Sequence, residues 1–299
     1  MIIKDYSVSQ EEFTLVYDSL LELYRTNPVP DELGKYYESE AYISHTDSRK
    51  TLFDRLYQWV KSYNLKHKIA LIKQYKKENI NLLDIGAGTG DFVLSSKKYA
   101  HWEAMGIEPS EKARAKAEEK GLLLQADFSE LLPHSFDVIT MWHVLEHVPD
   151  LTEEIQLISN LLKEDGLAVI AVPNYRSWDA QHYGAYWAAY DVPRHLWHFS
   201  KDSIEQLFAK EGFELLATHP MLFDAFYVSM LSEQYKTGKK HFLKGFINGV
   251  RSNYYGWRKR EYSSQIYVLG VRGEGSGFRN QEKVYFLKNT FLKLKIVKT

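Results

Sequence analysis

Residues 82–92 read LLDIGAGTGDF, and this stretch decides the fold. An apolar run leads directly into a Gly-x-Gly-x-Gly turn formed by Gly86, Gly88 and Gly90, and a helix is predicted to follow. Glycine permits the backbone conformations of a tight turn and lets a ligand come close to the main chain. The pattern therefore predicts a strand, a ligand-binding loop and a helix at the start of an α/β domain.

The loop lacks the features of phosphate-binding loops. A dinucleotide fingerprint would need glycine at position 91, which is Asp91, and a P-loop would need Gly-Lys-Ser/Thr. Asp84 and Asp91 flank the glycines, and two carboxylates would repel a pyrophosphate but attract a cation. S-adenosylmethionine carries a sulfonium and an ammonium group and no phosphate, so the loop favours it over NAD or ATP. A merely tight strand–helix turn is the alternative.

Two further acidic residues follow the loop at informative distances. Glu108 ends the next predicted strand about 20 residues past the loop, where a carboxylate can accept hydrogen bonds from ribose hydroxyls. Asp127 ends the third predicted strand and could accept the adenine amino group, with Phe128 packing on the base. The alternatives are a solvated Glu108 and an Asp127 that only starts a turn. Ser110 is predicted to cap the helix after Glu108.

The chain beyond the loop alternates between short apolar runs and amphipathic stretches, which is typical of βαβ units and a parallel sheet. Asp150 is a predicted N-cap, with Glu153 three residues later. We predict strands near 81–85, 102–108, 121–125, 136–142, 167–172, 213–218 and 263–272. We predict helices near 90–100, 110–120, 151–163 and 201–211.

We divide the chain into a helical extension or lid at 1–80, a domain at 81–272 with an insertion at 219–262, and a basic tail at 273–299. In the extension, apolar residues recur at helical spacing and predict a core-facing helix. They are Leu52, Phe53, Leu56, Trp59, Val60 and Tyr63. We also consider a lid over the cofactor formed by Tyr36, Tyr37, Tyr42 and His45.

The composition excludes several classes of protein. The 299 residues are 44% hydrophobic with a formal net charge of −1, so a sizeable core can form and the whole chain has no nucleic-acid signature. The absence of cysteine excludes disulfides and thiolate metal sites and is compatible with a cytoplasmic location. We see neither a signal-peptide h-region nor an apolar run of about 18 residues.

Four motifs in order resemble those of the class I, Rossmann-like S-adenosylmethionine methyltransferases. They are LLDIGAGTG, GIEPS, ADFSELLPHSFDVITMWHVLEHVPD and LLKEDGLAVIAVPN. The resemblance covers about 80–218 and is nearest to the branch with the ubiquinone-biosynthesis O-methyltransferases and many uncharacterised bacterial enzymes. DVPRHLWHFS at 191–200 also looks like a segment of this branch. The resemblance implies a seven-stranded, mostly parallel sheet of order 3-2-1-4-5-7-6 with the last strand antiparallel. The helical extension at 1–80 and the helical insertion at 219–262, before the last strand, depart from the minimal fold, so the substrate assignment does not transfer.

The resemblance also implies which residues contact S-adenosylmethionine at the carboxyl ends of the strands. Trp142 and His143 are expected beside its methionine moiety. The full expected set is Asp84, Gly86, Ala87, Gly88, Gly90, Glu108, Pro109, Asp127, Phe128, Trp142 and His143.

Histidines supply the candidates for a general base, because imidazole titrates near neutral pH. We consider His143, His147 and His195 as catalytic candidates. His143, Glu146 and His147 share one face of a helical turn, so a base, a divalent-metal site and a purely structural turn are all open; we assign no metal. An acceptor wall is expected in the aromatic segment 175–199, formed by Tyr186, Trp187, Tyr190, Arg194 and His198. The alternatives are that these rings pack the N-terminal helices onto the sheet and that Arg194 pairs with Asp191.

The insertion has eight Lys or Arg and no Asp or Glu at 236–260, with interleaved aromatic residues. Contact with anionic lipid, RNA binding, and a solvated or oligomer-forming face are the three interpretations. We predict O-methylation of a small-molecule or lipid-linked acceptor by a cytoplasmic protein, with peripheral membrane contact through 236–260 as one interpretation. The alternative functions are an RNA methyltransferase and a non-catalytic binding protein.

Overall fold

The computed structural model describes residues 1–37, 52–77 and 79–272. The predicted lid residues Tyr42 and His45, the side chains of Leu52, Phe53 and Leu56, and the basic tail at 273–299 lie outside the described residues.

The main sheet has six strands in the described chain. They are β4 (Asn81–Ile85), β5 (Glu103–Ile107), β6 (Phe136–Trp142), β7 (Leu162–Pro173), β9 (Phe213–Pro220) and β10 (Ser264–Val271). Their order is β5-β4-β6-β7-β10-β9, and β10 runs antiparallel to both of its neighbours. This order confirms the Rossmann-like prediction for six of the seven strands.

The predicted third strand at 121–125 is reduced to one bridge. Gln125 pairs with Ile107, its N–H donates to the Gly106 carbonyl (3.0 Å), and its carbonyl accepts from the Glu108 N–H (2.9 Å). The preceding Leu122 is buried. Pairing at this edge is therefore confined to the residue nearest Glu108.

Helices cover both faces of the main sheet. The α-helices in the described residues are α1 (Leu52–Ile72), α2 (Asp91–Ala100), α3 (Glu111–Glu118), α4 (Leu151–Leu161), α5 (Trp178–Tyr183), α6 (Lys201–Lys210), α7 (Asp224–Thr237) and α8 (Phe242–Lys259), of which α8 packs on α7. Leu82 and Leu83 face opposite sides of β4 and are both fully buried, as expected for a covered parallel sheet. Both predicted caps are confirmed: Ser110 accepts from the Ala113 N–H, and Asp150 accepts at the start of α4.

Residues 1–27 contain three strands, so the prediction of a helical segment at 1–80 is wrong there. β1 (Ile2–Lys4), β2 (Glu12–Asp18) and β3 (Leu23–Asn27) join β8 (Trp197–His198) in a second, antiparallel sheet. In β2, Phe13 and Leu15 are buried between exposed neighbours, which is the period-two pattern of a half-buried strand. This pattern is short, and β8, the last strand of the sheet, lies far along the chain, so the sequence did not indicate this sheet.

Helix α1 confirms the helical part of the extension, but Trp59 and Tyr63 of the predicted stripe do not face the core. Trp59 and Tyr63 are 60% and 48% exposed, and their rings stack on each other with centroids 5.9 Å apart. Among the side chains that the structure describes in this helix, at 58–72, the buried ones lie at its end and are Ile69, Leu71 and Ile72. No helix within the described residues is long and apolar enough to cross a bilayer.

Candidate active site

The three loop glycines adopt left-handed backbone conformations, with φ of +69°, +56° and +75° at Gly86, Gly88 and Gly90. A Cβ at Gly86 would lie 2.4 Å from a Val144 methyl, and one at Gly90 would lie 2.3 Å from a Leu122 methyl. A Cβ at Gly88 would meet nothing within 4 Å. Gly86 and Gly90 therefore allow close packing, whereas Gly88 borders open space where a ligand can approach the backbone.

The Glu108 carboxylate lies beside this open space. One oxygen accepts from the Gly88 N–H (2.8 Å) and the other from the Ser110 N–H (2.9 Å). Pro109 is exposed next to it, and the Ala87 N–H donates to the Ile107 carbonyl (2.9 Å). The ends of β4 and β5 thus bring a glycine backbone and a carboxylate together, which is the arrangement that an adenosine ribose needs.

Asp127 and Phe128 follow the Gln125 bridge beside β5. Asp127 is exposed and accepts from the Ser129 N–H (2.9 Å), and the bonds from Ser129 lower the pKa of Asp127. Phe128 is half-buried against the core. Both residues therefore stand at the edge where the predicted adenine contact belongs.

Asp84 carries the negative charge within the site. It is buried and accepts a 2.6 Å hydrogen bond from the Thr140 hydroxyl. Burial raises the pKa of Asp84 to about 7, although the Thr140 bond and the nearby Lys68 oppose this shift. Asp84 is therefore poised to change charge near neutral pH.

The sequence analysis missed Lys68. This residue of α1 places its Nζ 4.0 Å from the centroid of the Trp142 ring. Burial lowers the pKa of Lys68 to about 8, against the attraction of Asp84 and Asp224. A lysine on an amphipathic helix is ordinarily solvated, so the local sequence contained no signal for this position.

Asp91 does not share the role of Asp84, contrary to the sequence-based interpretation. Its carboxylate oxygens lie 2.8 Å from Lys61 Nζ and 3.0 Å from Lys120 Nζ, and the Thr89 hydroxyl donates to it. The two lysines neutralise this carboxylate, so Asp84 alone remains available to a cationic ligand.

Trp142 and His143 follow directly at the end of β6. The Trp142 ring meets the Phe92 ring edge-on at 5.3 Å. His143 has φ +59°, and its Nδ1 and Nε2 lie 3.3 Å from Glu146 and 2.9 Å from Asp224. Partial burial opposes a charge on this imidazole, but the bonds to Asp224 and Glu146 prevail and raise the pKa of His143 to about 10. His143 is therefore an imidazolium at neutral pH and cannot accept a proton there.

His147 and His195 form a second histidine group. The His147 Nδ1 lies 3.0 Å from the Arg194 carbonyl and 3.0 Å from the Tyr37 hydroxyl. The His195 ring meets the His147 ring edge-on at 4.6 Å and donates from Nδ1 to the Ala189 carbonyl (2.9 Å). Burial and then His147 hold the pKa of His195 well below its ordinary value, so His195 is neutral.

Glu146, His147 and His195 could together hold a divalent cation. One ligand atom from each lies within 4.8 Å of the others. Glu146 is fully buried, and its Oε2 has no hydrogen-bond partner among the described residues. His147 and His195 are brought together here, whereas His143 lies outside this group and contacts Glu146 through the other carboxylate oxygen.

The model of the family called Methyltransferase domain matches residues 56–218, which is more than half of the chain. The chain belongs to the methyltransferase family. Its fold and glycine loop are those of the class I enzymes, which use S-adenosylmethionine.

Curated relatives match this methyltransferase over shorter stretches. A ubiquinone biosynthesis O-methyltransferase of Neisseria meningitidis is 30% identical over 104 residues, which are 31% of this chain and 44% of the relative. The protein of the same name from Aeromonas salmonicida is 34% identical over 102 residues, 31% of this chain and 43% of the relative. The methyltransferase thus spans less than half the length of these two relatives.

Solved structures share the fold at low identity. A protein from Galdieria sulphuraria described as a sarcosine dimethylglycine methyltransferase has a TM-score of 0.51 at 14% identity, covering 73% of this chain and 88% of its own. The geranyl diphosphate C-methyltransferase of Streptomyces coelicolor has a TM-score of 0.50 at 11% identity, covering 69% and 76%.

The aromatic segment of the methyltransferase packs the N-terminal sheet, which corrects the predicted acceptor wall. Trp187 and Tyr190 are buried in a cluster with Ile3 and Phe13. The Trp187 indole donates to the buried Asp179 (2.8 Å). Neither ring is open to an acceptor, because the N-terminal strands already cover them.

Arg194 and His198 are corrected for the same reason. Arg194 is buried, pairs with Asp191 and donates to the Ser7 hydroxyl (3.1 Å). The His198 Nε2 lies 3.0 Å from the Thr26 hydroxyl, and burial lowers the pKa of His198 to about 3. Both side chains join the second sheet to the methyltransferase core, so the alternative interpretation of Arg194 is confirmed.

Among the described tyrosines predicted for the lid or the acceptor wall, Tyr37 reaches the group formed by His147 and His195. Tyr186 is partly exposed and lies beside the Tyr6 ring (5.8 Å). Tyr36 is buried and donates to Glu11 (2.5 Å). In the predicted lid, Tyr37 therefore contacts the candidate site, whereas Tyr36 packs against the second sheet.

Proposed function

We propose that this methyltransferase transfers a methyl group to a hydroxyl oxygen of a small-molecule or lipid-linked acceptor, with His147 as the general base. The observation that carries the proposal is the His147 group at the end of β6, beside the predicted methionine side of the cofactor. The names of the relatives support the O-methyl chemistry: those matched are ubiquinone biosynthesis O-methyltransferases.

The residues near Trp142 suit a zwitterionic cofactor. When bound, S-adenosylmethionine supplies an electrophilic methyl group on sulfur. The Asp84 carboxylate complements its positive charge, and the Lys68 ammonium complements the carboxylate of its methionine part. The glycine backbone and Glu108 hold the ribose, and Asp127 with Phe128 holds the adenine.

His147 is the histidine suited to accept a proton. The Arg194 carbonyl only accepts, so the bond at 3.0 Å favours a proton on His147 Nδ1. That tautomer leaves a lone pair on Nε2, which can take the acceptor's hydroxyl proton. The Tyr37 hydroxyl and the Arg194 carbonyl both fix the orientation of the ring.

His143 has a positioning role instead. As an imidazolium between Asp224 and Glu146 it is already protonated at the pH where a base must act. Its bond to Glu146 fixes the turn that carries His147. The raised pKa of His143 thus argues against His143 as the base, and the hydrogen bond at Nδ1 favours His147.

The test is methyl transfer from labelled S-adenosylmethionine into metabolite and lipid extracts, with the labelled product identified by mass spectrometry and NMR. A methyl group on nitrogen or carbon in the product would refute O-methylation. For the base, we compare His147→Asn, whose amide can still donate to Arg194, with His101→Asn at an exposed helix end.

We expect His147→Asn to lower kcat by roughly 10²–10⁴-fold with unchanged cofactor affinity. His101→Asn should leave turnover unchanged. Parent-like turnover in His147→Asn would exclude His147 as the base.

A further inference from the structure

Helix α8 has the reverse of the usual amphipathic arrangement. Its buried face consists of small or polar residues, Gly245, Asn248, Gly249, Ser252 and Gly256. A Cβ at Gly245 would lie 2.7 Å from Met230 Cα, and one at Gly249 would lie 2.6 Å from the Phe226 ring. The helix therefore lies very close to α7 and has no room for large side chains between the two.

The large apolar side chains of α8 point to solvent. At about 100° per residue they occupy one stripe of about 140°. The stripe residues are 44% to 75% exposed: Phe242, Leu243, Phe246, Ile247, Val250, Tyr254 and Trp257. A contiguous exposed apolar stripe of this kind marks an interaction surface.

A row of basic residues borders the stripe. Lys244, Arg251 and Arg258 repeat every seven residues along one edge, and the region 236–260 contains no acidic residue. Lys244 pairs with the buried Glu233 (3.1 Å). Arg251 and Arg258 are exposed, and within the described residues neither forms an ion pair. The charge beside the stripe thus remains available to an anionic partner.

We propose that α8 lies flat on an anionic lipid bilayer, with the stripe in the acyl–headgroup boundary and the basic row against the headgroups. A second copy of this surface is disfavoured, because it would place its basic row against an identical basic row. The tail at 279–299 is disfavoured for the same reason, because it has six basic residues and one acidic residue and is therefore also positively charged. The aliphatic side chains of Leu243, Ile247 and Val250 offer no stacking platform for nucleic-acid bases. A lipid surface satisfies both the apolar and the charged parts.

The surface formed by the apolar stripe and the basic row of α8, which we call the docking surface, adjoins the candidate active site. The Phe246 ring stacks on Phe226 (5.0 Å), and the Phe223 ring meets Tyr63 of α1 (5.7 Å). Asp224, between these two phenylalanines, holds His143. Given the proposed function, an acceptor dissolved in the bilayer would enter beside α7.

The experiment is co-sedimentation of the full chain with vesicles of phosphatidylcholine alone or with phosphatidylglycerol, at low and high salt. It needs neither cofactor nor acceptor, so its failure leaves O-methylation untouched, and failure of O-methylation leaves the docking result standing. We expect binding only to the anionic vesicles, weakened by salt.

Two pairs of variants locate the contact. Arg251→Glu with Arg258→Glu should weaken binding about tenfold or more, because each basic residue near a membrane contributes on the order of 1 kcal/mol. The control Lys97→Glu with Lys112→Glu makes the same charge change on exposed residues of α2 and α3 and should bind like the parent. Leu243→Ser should weaken binding to the vesicles. The control Leu132→Ser, at a leucine that is 72% exposed and lies outside α8, should leave binding unchanged.

Three results would overturn the proposal. The first is no binding to anionic vesicles at low salt. The second is binding that is indifferent to the α8 variants but lost on deletion of 273–299. The third is a dimer in sedimentation velocity that Leu243→Ser dissociates, which would make the stripe an interface between copies.

Discussion

Replacing Gly90 and Gly88 by alanine tests how the cofactor loop is built. Both residues have a positive φ, so alanine at either position is strained by about 1–2 kcal/mol. At Gly90 the new methyl group would also lie 2.3 Å from Leu122. Forcing an extra methyl group into a packed core adds about 1–3 kcal/mol. We therefore expect the free energy of unfolding to fall by about 1–2 kcal/mol in Gly88→Ala and by about 2–5 kcal/mol in Gly90→Ala.

Urea unfolding followed by tryptophan fluorescence measures both losses of unfolding free energy. A thermal scan should also distinguish the two variants, because 1 kcal/mol shifts Tm by about 2–4 °C in a domain of this size. The ligand affinities should rank the other way. The methyl group of Gly88→Ala enters the open space beside Glu108 and should weaken S-adenosylhomocysteine binding in calorimetry, whereas folded Gly90→Ala should keep it.

Leu122→Ala added to Gly90→Ala provides the internal check, because removing the clashing side chain should make the double change less costly than the sum of the single changes. Equal losses of stability in the two glycine variants, or strict additivity with Leu122→Ala, would refute the packing account of Gly90.

Three further predictions concern charge. Cofactor affinity should rise between pH 6 and pH 8, because Asp84, with a pKa of about 7, binds a cation only when ionised; Asp84→Asn should flatten the profile in calorimetric titrations. The pKa of His143 is raised from 6.5 to about 10, so its contribution to stability is complete below about pH 6.5 and is lost as the pH rises through 10. Asp224→Asn should reduce that decline in unfolding curves taken between these pH values, because only the bond to Glu146 remains; an unchanged decline would refute the pairing. Lys68→Met should weaken S-adenosylhomocysteine binding about tenfold or more, because a hydrogen bond to a charged group contributes about 1.5–3 kcal/mol. The control Lys73→Met, at an exposed position, should leave binding unchanged.

The features predicted correctly from the sequence are local ones. The glycine loop, the cap at Ser110 and the cap at Asp150 each depend on a few adjacent residues whose conformational preferences agree with the fold. The strand order followed from family resemblance, since adjacency in a parallel sheet is not encoded in any single segment.

The features missed depend on distant partners. β3 gains its second neighbour from Trp197 and His198, some 170 residues away, so no window of sequence identifies it. Trp187 and Tyr190 belong to an aromatic-rich segment, and composition alone does not distinguish a pocket wall from a packed core. Lys68 reaches the site only because α1 packs beside α2.

The position of β10 has a consequence for how the chain can be divided. The residues that match the family end at 218, yet β10 (Ser264–Val271) lies between β7 and β9 and pairs with both. A fragment limited to 56–218 would leave two unpaired strand edges facing a gap in the middle of the sheet, and exposed edges of this kind promote aggregation. The evolutionary unit recognised in the sequence is therefore smaller than the cooperative unit that folds.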